Sequence, residues 1–138
     1  MPTVQKIRYS DCDPQGIVFN ANYARYFDDA ATDWFEELGF GGEELGGIGA
    51  DVVTARFEID FLASARLGDE LETTVEVEEL GNTSMTLRFT TRRLSDGEVV
   101  VEGRQVQVFV DPEHFRPTPI PEVFLEALAG NGSAKTGG

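Results

Sequence analysis

One apolar stripe, running through residues 20–38, constrains the fold of this chain more than any other feature. Its members recur at three- and four-residue spacing, which predicts an amphipathic helix with one face against a core. Asn20 or Asn22 can cap the start of this helix, and Gly39 is placed to end it. At the usual rise the helix is about 28 Å long, so the remaining chain must be arranged around it. The stripe consists of Tyr23, Phe27, Ala30, Ala31, Trp34, Phe35 and Leu38.

After a glycine-rich segment at residues 39–49, predicted to be a flexible loop, the hydrophobic period falls to about two. This alternation predicts four strands, and Asp96-Gly97 predicts a hairpin between the last two. The predicted strands are residues 53–61, 71–77, 85–89 and 98–110. Their inward faces are predicted to be Val53, Ala55, Phe57, Ile59 and Phe61, then Leu71, Thr73, Val75 and Val77, then Met85, Leu87 and Phe89.

With a first strand at residues 3–10, the order is strand, long helix and four strands, which predicts a two-layer α+β domain. Short links favour an antiparallel meander. One helix cannot cover five strands, so part of the sheet or one edge is expected to be free for a partner chain. Pro121 is suited to begin a short helix to Leu128. Residues 130–138 are predicted to be a disordered tail behind a single domain at residues 1–129.

The charge balance narrows the classes of partner. There are 25 acidic against 11 basic residues, a net charge of −14, and such a field repels nucleic acid. Apolar residues make up 41%, which fits a globular fold, and no run approaches the ~20 apolar residues that span a bilayer. With a polar start at residues 1–8, we expect a cytoplasmic protein without a membrane partner. The acid-rich, lysine-poor composition is typical of proteins from a high-salt cytoplasm, and an ordinary acidic protein is the alternative.

Cysteine and histidine chemistry is sparse in this sequence. Cys12 is the single cysteine, and because it lies between two acids its thiolate is disfavoured, so an inert thiol is expected. His114 is the single histidine, is expected at the surface, and cannot complete a catalytic triad without further partners. The chain also lacks the ligands of a hydrolytic zinc, so no metal site is predicted.

The segment at residues 9–23 carries the most informative chemistry. It sets Asp11 and Asp13, followed by Pro14 and Gly16, directly before the helix. The first amides of a helix are unpaired donors at its positive end, so they can hold a developing oxyanion. A nearby carboxylate can act as a nucleophile or as a general base for water. On chemistry alone, a turn with an aspartate as local cap is the competing interpretation.

The run Asp11-Cys12-Asp13-Pro14-x-Gly16-Ile17-Val18, followed by Asn22-Tyr23, resembles the signature of the 4-hydroxybenzoyl-CoA thioesterase family. The resemblance implies a hotdog fold, in which a five-stranded antiparallel sheet wraps around one long helix. It also implies hydrolysis of an acyl-CoA or aroyl-CoA thioester to the free acid and CoA, with no cofactor and with Asp13 as the catalytic carboxylate. The residues implied to bind the substrate are Gly16, Val18, Phe19, Asn20 and Tyr23, with the Asn20 amide on the thioester carbonyl.

The same resemblance implies a homodimer joined edge to edge into one continuous sheet, or a tetramer of two such dimers, with active sites at the interface. Position 20 is a departure, because many relatives have histidine or tyrosine where this chain has asparagine. For the phosphates of CoA, Arg66, Arg88 and Arg92 are the candidates, together with Arg93, and each is alternatively a solvated residue. Asp11 is expected to be structural.

Two functions of other classes stay open from the sequence. A non-catalytic acyl-CoA binding protein would keep the fold without hydrolysis. A hotdog hydratase or dehydratase would pair an acid with a histidine, and His114 lies in the wrong segment for that.

Overall fold

A computed structural model of the chain describes residues 2–41 and 47–131. It confirms the α+β hotdog prediction, because five antiparallel strands curl around a long helix. The predicted loop at residues 39–49 falls partly, and the predicted tail at residues 130–138 largely, outside the described residues. The elements are β1 (Thr3–Lys6), a 3-10 turn (Tyr9–Asp11), α1 (Asn22–Glu37), β2 (Asp51–Phe61), β3 (Glu70–Leu80), β4 (Ser84–Arg93), β5 (Val99–Val110) and α2 (Glu122–Asn131).

The sheet has the strand order β1-β3-β4-β5-β2, with every neighbouring pair antiparallel. The meander prediction is therefore correct for β3, β4 and β5 and wrong for β2, which pairs with β5 and not with β3. The reason is that residues 62–69 cross from the edge strand β2 to β3, on the far side of β4 and β5, and do not form a tight hairpin. β1 then occupies the other edge, beside β3.

Close packing of α1 on the concave face of the sheet forms the core. The Phe27 ring stacks on the Phe89 ring at 4.7 Å between centroids. Gly103 on β5 lies directly beneath it, and a Cβ at that position would clash with the Phe27 ring. The inward rows predicted for β4 and for most of β3 are buried. The clash at Gly103 shows that glycine is needed where the helix approaches the sheet most closely.

The burial pattern predicted for β2 is wrong at its start. A β-bulge between Thr54 and Arg56 adds one residue and shifts the alternation, so Val53 pairs with Val108 on the face away from the helix. Farther along the strand, Phe57 and Phe61 do turn toward the helix, yet they stay 37% and 46% exposed. β2 is an edge strand, and α1 does not cover its apolar side chains.

The ends of the helices differ from the sequence predictions by a few residues. α1 begins at Asn22, after the N-cap residue Ala21, and no side chain caps it. The Asn22 side chain donates instead to the Asp11 carbonyl. Gly39 follows the end of α1 with φ of 90°, as predicted. α2 follows Pro121 and continues to Asn131, beyond the predicted end. No helix among the described residues is long and apolar enough to cross a membrane.

Candidate active site

A tight hairpin in front of α1 carries the residues of the predicted site. Cys12 and Val18 pair at its base, and the Asp13 amide donates to the Ile17 carbonyl at 2.9 Å. The Gly16 amide donates to the Asp13 carbonyl at 2.9 Å and closes the turn. Gly16 has φ of 79°, a conformation that favours glycine, while the space around it is open. The need for glycine at this position is therefore conformational.

The two oxygens of the Asp13 carboxylate differ in their hydrogen bonding. Its Oδ1 accepts a hydrogen bond from the Gln15 amide at 2.8 Å, which is the local cap expected of an aspartate in a turn. Its Oδ2 has no hydrogen bond or ion pair with any described residue. The side chain is half-buried, so one oxygen is held by the turn and the other is available to a ligand.

Asp13 lines an open cleft of about 440 Å³. That volume lies within the range of about 300–1,000 Å³ that is usual for ligand sites. The Tyr9 ring is 85% exposed at this cleft, and Leu67 is also exposed. Most of the lining is apolar, which fits an organic ligand beside a single carboxylate. The cleft is lined by Tyr9, Cys12, Asp13, Pro14, Gly16 and Leu67.

A second, smaller cleft of about 190 Å³ shares no lining residue with the first and holds most of the remaining predicted residues. Val18, Asn20 and Tyr23 line it, together with Phe61 of β2. Phe19 is 54% exposed and belongs to neither cleft. The hairpin separates the predicted residues because 13 and 16 lie at its tip, whereas 18–23 lie at its base. Within one chain, the Asp13 carboxylate and the Asn20 segment therefore face different clefts.

The turn that leads into α1 offers backbone donors. The Asn22 amide donates to the Phe19 carbonyl at 2.9 Å, and the Tyr23 amide donates to the Asn20 carbonyl at 3.3 Å. Among the described residues, the amides of Asn20 and Ala21 find no such acceptor. Burial raises the pKa of Tyr23 to about 12, so its hydroxyl is protonated at neutral pH and cannot act as a base.

Asp11 is the structural anchor of the hairpin, as predicted. The residue is only 6% exposed, and its carboxylate accepts the Arg8 amide at 2.8 Å and forms an ion pair with Arg25 at 2.5 Å. Its backbone carbonyl accepts the Phe19 amide at 2.9 Å and the Asn22 side chain at 2.8 Å. Burial alone would raise the pKa of Asp11, but the Arg8 amide and the Arg25 guanidinium outweigh burial and hold this pKa below its ordinary value.

The arginines predicted for the CoA phosphates occupy three different surroundings. Arg66 is exposed and pairs through its backbone with Ile17, so it lies directly beside the hairpin. Arg88 forms ion pairs with Glu78 and Glu102 at 3.6 and 3.4 Å. Arg92 donates to a carbonyl in the β4–β5 turn at 3.4 Å. The fourth candidate, Arg93, is held by Asp69, Asp96 and Glu98.

Sequence reasoning gave no site role to Tyr9, which lines the Asp13 cleft, or to Arg8, which precedes it. Tyr9 is the first residue of the segment at residues 9–23 and Arg8 lies just before it, but an exposed tyrosine and arginine carry no pattern of their own. Cys12 is half-buried and lines the same cleft, with its Sγ 3.7 Å from the Arg8 carbonyl. His114 is exposed beside Asp111, at the surface as predicted. The described part of the chain contains no group of three or more potential metal ligands.

Comparison with known proteins gives the chain a family. The sequence model of the thioesterase-like superfamily matches residues 7–128. Acyl-CoA thioester hydrolase YbgC of Escherichia coli is 27% identical over 119 residues, covering 85% of this chain and 87% of that protein. 4-Hydroxybenzoyl-CoA thioesterase of Pseudomonas sp. strain CBS-3 is 28% identical over 132 residues, covering 88% and 92%.

The fold agrees with these sequence relationships. The solved structure of the same Pseudomonas thioesterase superimposes with a TM-score of 0.83 at 25% identity, covering 92% of this chain and 97% of that one. A Thermus thermophilus protein, TT1821, superimposes with a TM-score of 0.84 at 27% identity, covering 94% and 97%. The chain therefore belongs to the thioesterase-like superfamily and is a hotdog-fold thioester hydrolase, as the signature at residues 9–23 predicted.

Proposed function

We propose that this protein hydrolyses an acyl-CoA or aroyl-CoA thioester to the free acid and CoA, with Asp13 as its catalytic carboxylate. The observation that supports this most is the unengaged Oδ2 of Asp13 in a largely apolar cleft of about 440 Å³. The names of the E. coli and Pseudomonas relatives point to the same substrate class. A substrate that carries CoA also fits the cytoplasmic location expected from the sequence.

Two routes are compatible with this carboxylate. As a nucleophile, Asp13 attacks the thioester carbonyl, the C–S bond breaks, and water then hydrolyses the mixed anhydride. As a general base, Asp13 takes a proton from water, whose oxygen attacks the carbonyl directly. In both routes the CoA sulfur leaves and is protonated, and the net reaction consumes one water. The free amides of Asn20 and Ala21, at the positive end of α1, are the proposed donors to the oxyanion.

A complete site on this proposal needs a second copy of the chain. Asp13 and Asn20 face separate clefts in one subunit, so each cleft must be completed from outside. Phe61 belongs both to the Asn20 cleft and to the uncovered edge of β2, which links that cleft to a free sheet edge. An edge-to-edge homodimer, alone or paired into a tetramer, is the proposed assembly. Gly16, Val18, Phe19, Asn20 and Tyr23 keep their proposed substrate roles within it.

Thiol release from aromatic, short-chain and long-chain acyl-CoAs tests the reaction. Asp13→Asn keeps the acceptor for the Gln15 amide but removes the charge, so kcat should fall by about a thousandfold or more while CoA still binds. Asp29→Asn, at an exposed position of α1 that lines neither cleft, is the matched control and should keep normal turnover. Normal turnover of Asp13→Asn would exclude Asp13 as the catalytic carboxylate.

The same substrate panel separates the rival functions. Release of thiol from any acyl-CoA excludes a non-catalytic binding protein, whereas no release from all of them supports it. A hydratase is not favoured, because His114 does not line the Asp13 cleft. A single turnover in ¹⁸O-labelled water that puts label into Asp13 would identify the nucleophilic route.

A further inference from the structure

The net charge of −14 makes any binding of a polyanion depend on a few free cations. Most arginines of the described chain are already neutralised by acidic partners and cannot serve a ligand without losing them. Only a small set of basic side chains has no ion pair with a described residue. The paired arginines are Arg25, Arg56, Arg88, Arg93 and Arg104, and the unpaired basic residues are Lys6, Arg8, Arg66, Arg92 and Arg116.

Two of the unpaired arginines lie next to residues that line the Asp13 cleft. Arg8 precedes Tyr9, and Arg66 precedes Leu67. Both arginines are exposed. Tyr9 and Leu67 are strongly exposed, at 85% and 58%, and neither arginine lines the cleft itself, which is consistent with a position at its outer rim.

Backbone hydrogen bonds hold these two segments side by side. The Ile7 amide donates to the Asp69 carbonyl at 2.8 Å, and the Gly68 amide donates to the Ile7 carbonyl at 3.0 Å. The Arg66 amide is fixed by the Asp69 carboxylate at 2.9 Å, and the Arg8 amide is fixed by Asp11 at 2.8 Å. Both arginine backbones are therefore anchored, while their guanidinium groups form no ion pair with residues 2–41 or 47–131.

We propose that Arg8 and Arg66 form a phosphate-binding pair at the mouth of the Asp13 cleft and bind the phosphate-bearing end of CoA. This rests on the proposed function and extends it. From the sequence, Arg8 had no role, and Arg66 was only one of four candidate arginines. Guanidinium groups bind phosphate oxygens in a bidentate manner. When the thioester carbonyl lies at Asp13, the long pantetheine arm of CoA extends out of the cleft toward its rim. Arg88, engaged by two glutamates, is then not a phosphate ligand.

The consequence is selectivity for the carrier and not for the acyl group. Arg8→Gln and Arg66→Gln should each raise KM for an acyl-CoA by about tenfold, and the double variant by about a hundredfold, as expected for losing one or two charge-assisted contacts. The same acyl group on N-acetylcysteamine, which has no phosphate, should be hydrolysed by all variants at the wild-type kcat/KM. Because both residues are exposed, unfolding midpoints should not change.

Arg116→Gln is the matched control. Arg116 is exposed and makes no ion pair within the described chain, and it follows the end of β5, at the opposite end of the sheet from Asp69. Its replacement makes the same change in net charge, so it reports the long-range effect of charge on an anionic substrate. KM for acyl-CoA should stay within about twofold of wild type in this variant, since distant exposed charges are screened by salt.

A titration of CoA into Asp13→Asn, with and without the two arginine replacements, measures binding without turnover. Weaker CoA binding in the arginine variants, with unchanged affinity for pantetheine, supports the pair even if the wild type releases no thiol and the proposed function fails. Three results would each overturn the proposal. They are equal losses of kcat/KM on the CoA and N-acetylcysteamine thioesters, an equal rise in KM for acyl-CoA in Arg116→Gln, and unchanged CoA affinity in the double variant.

Discussion

Replacing Asp11 by asparagine tests whether one buried carboxylate fixes the active-site hairpin. The change keeps the shape and one acceptor but removes the charge that holds Arg8 and Arg25. A hydrogen bond to a charged group contributes about 1.5–3 kcal/mol. The Arg25 side chain is 58% exposed, so solvent screening limits the ion pair itself to about 1 kcal/mol or less. We expect Asp11→Asn to lower the free energy of unfolding by about 2 kcal/mol.

For a chain of this length, that loss corresponds to a decrease in Tm of about 4–8 °C. Thermal unfolding followed by circular dichroism, at one protein concentration, measures it. Because the Asp11 carbonyl also holds Phe19 and Asn22, a loosened hairpin should reduce kcat/KM for thioester hydrolysis by about tenfold. Asp29→Asn is the control, because Asp29 is exposed and its carboxylate accepts a hydrogen bond from the neutral Gln5 side chain. The Tm of this variant should stay within about 2 °C of wild type.

The pH dependence gives the reasoning a second check. The folded-state pKa of Asp11 lies below its ordinary value of 3.8, so the charged form is the stabilised one. The stability difference between wild type and Asp11→Asn should therefore be complete at neutral pH and shrink as pH falls below about 4. A difference that persists unchanged to pH 2, or an equal loss in Asp29→Asn, would refute the role of the Asp11 charge.

Three further predictions follow from packing, edges and net charge. Gly103→Ala should destabilise the fold by about 2 kcal/mol because its Cβ would clash with the Phe27 ring and a backbone carbonyl, whereas Gly130→Ala, with open space around it in α2, should be neutral or slightly stabilising in the same thermal assay. Val53→Asp on the edge strand β2, on the face away from the helix, should shift the protein to a monomer in sedimentation velocity without unfolding it, and an unchanged assembly would argue against pairing through this edge. If the −14 charge is an adaptation to high salt, the urea unfolding midpoint should rise between 0.1 and 2 M KCl, and a flat response would favour an ordinary acidic protein.

The features that sequence predicted well are those with local causes. The apolar spacing of α1 determines which helix face is buried, and the alternation in β4 places Met85 and Phe89 inward whatever the neighbouring strand is. The Asp96-Gly97 turn also needs no distant partner, and Gly97 has the positive φ that such a turn uses.

The features that sequence missed depend on competition between distant segments. β2 could pair with β3 or β5, and only the path of residues 62–69 across the sheet decides between them. The bulge between Thr54 and Arg56 leaves Ala55 without a strand partner, and an alanine in an alternating run gives no local signal of this. Arg8 looked like every other arginine, since an ion pair is formed or missing only once the chain is folded.

The Asx turn at Asp13 joins two interpretations that looked like rivals. A cap and a catalytic group differ in what the second carboxylate oxygen does, and here the first oxygen is tied to the Gln15 amide. That bond removes rotational freedom from the side chain before any ligand arrives. The orientation of the other oxygen toward a substrate is therefore fixed by the backbone. Glutamate, one methylene longer, would keep the charge and lose that orientation. A carboxylate at this position is therefore useful only at the side-chain length of aspartate.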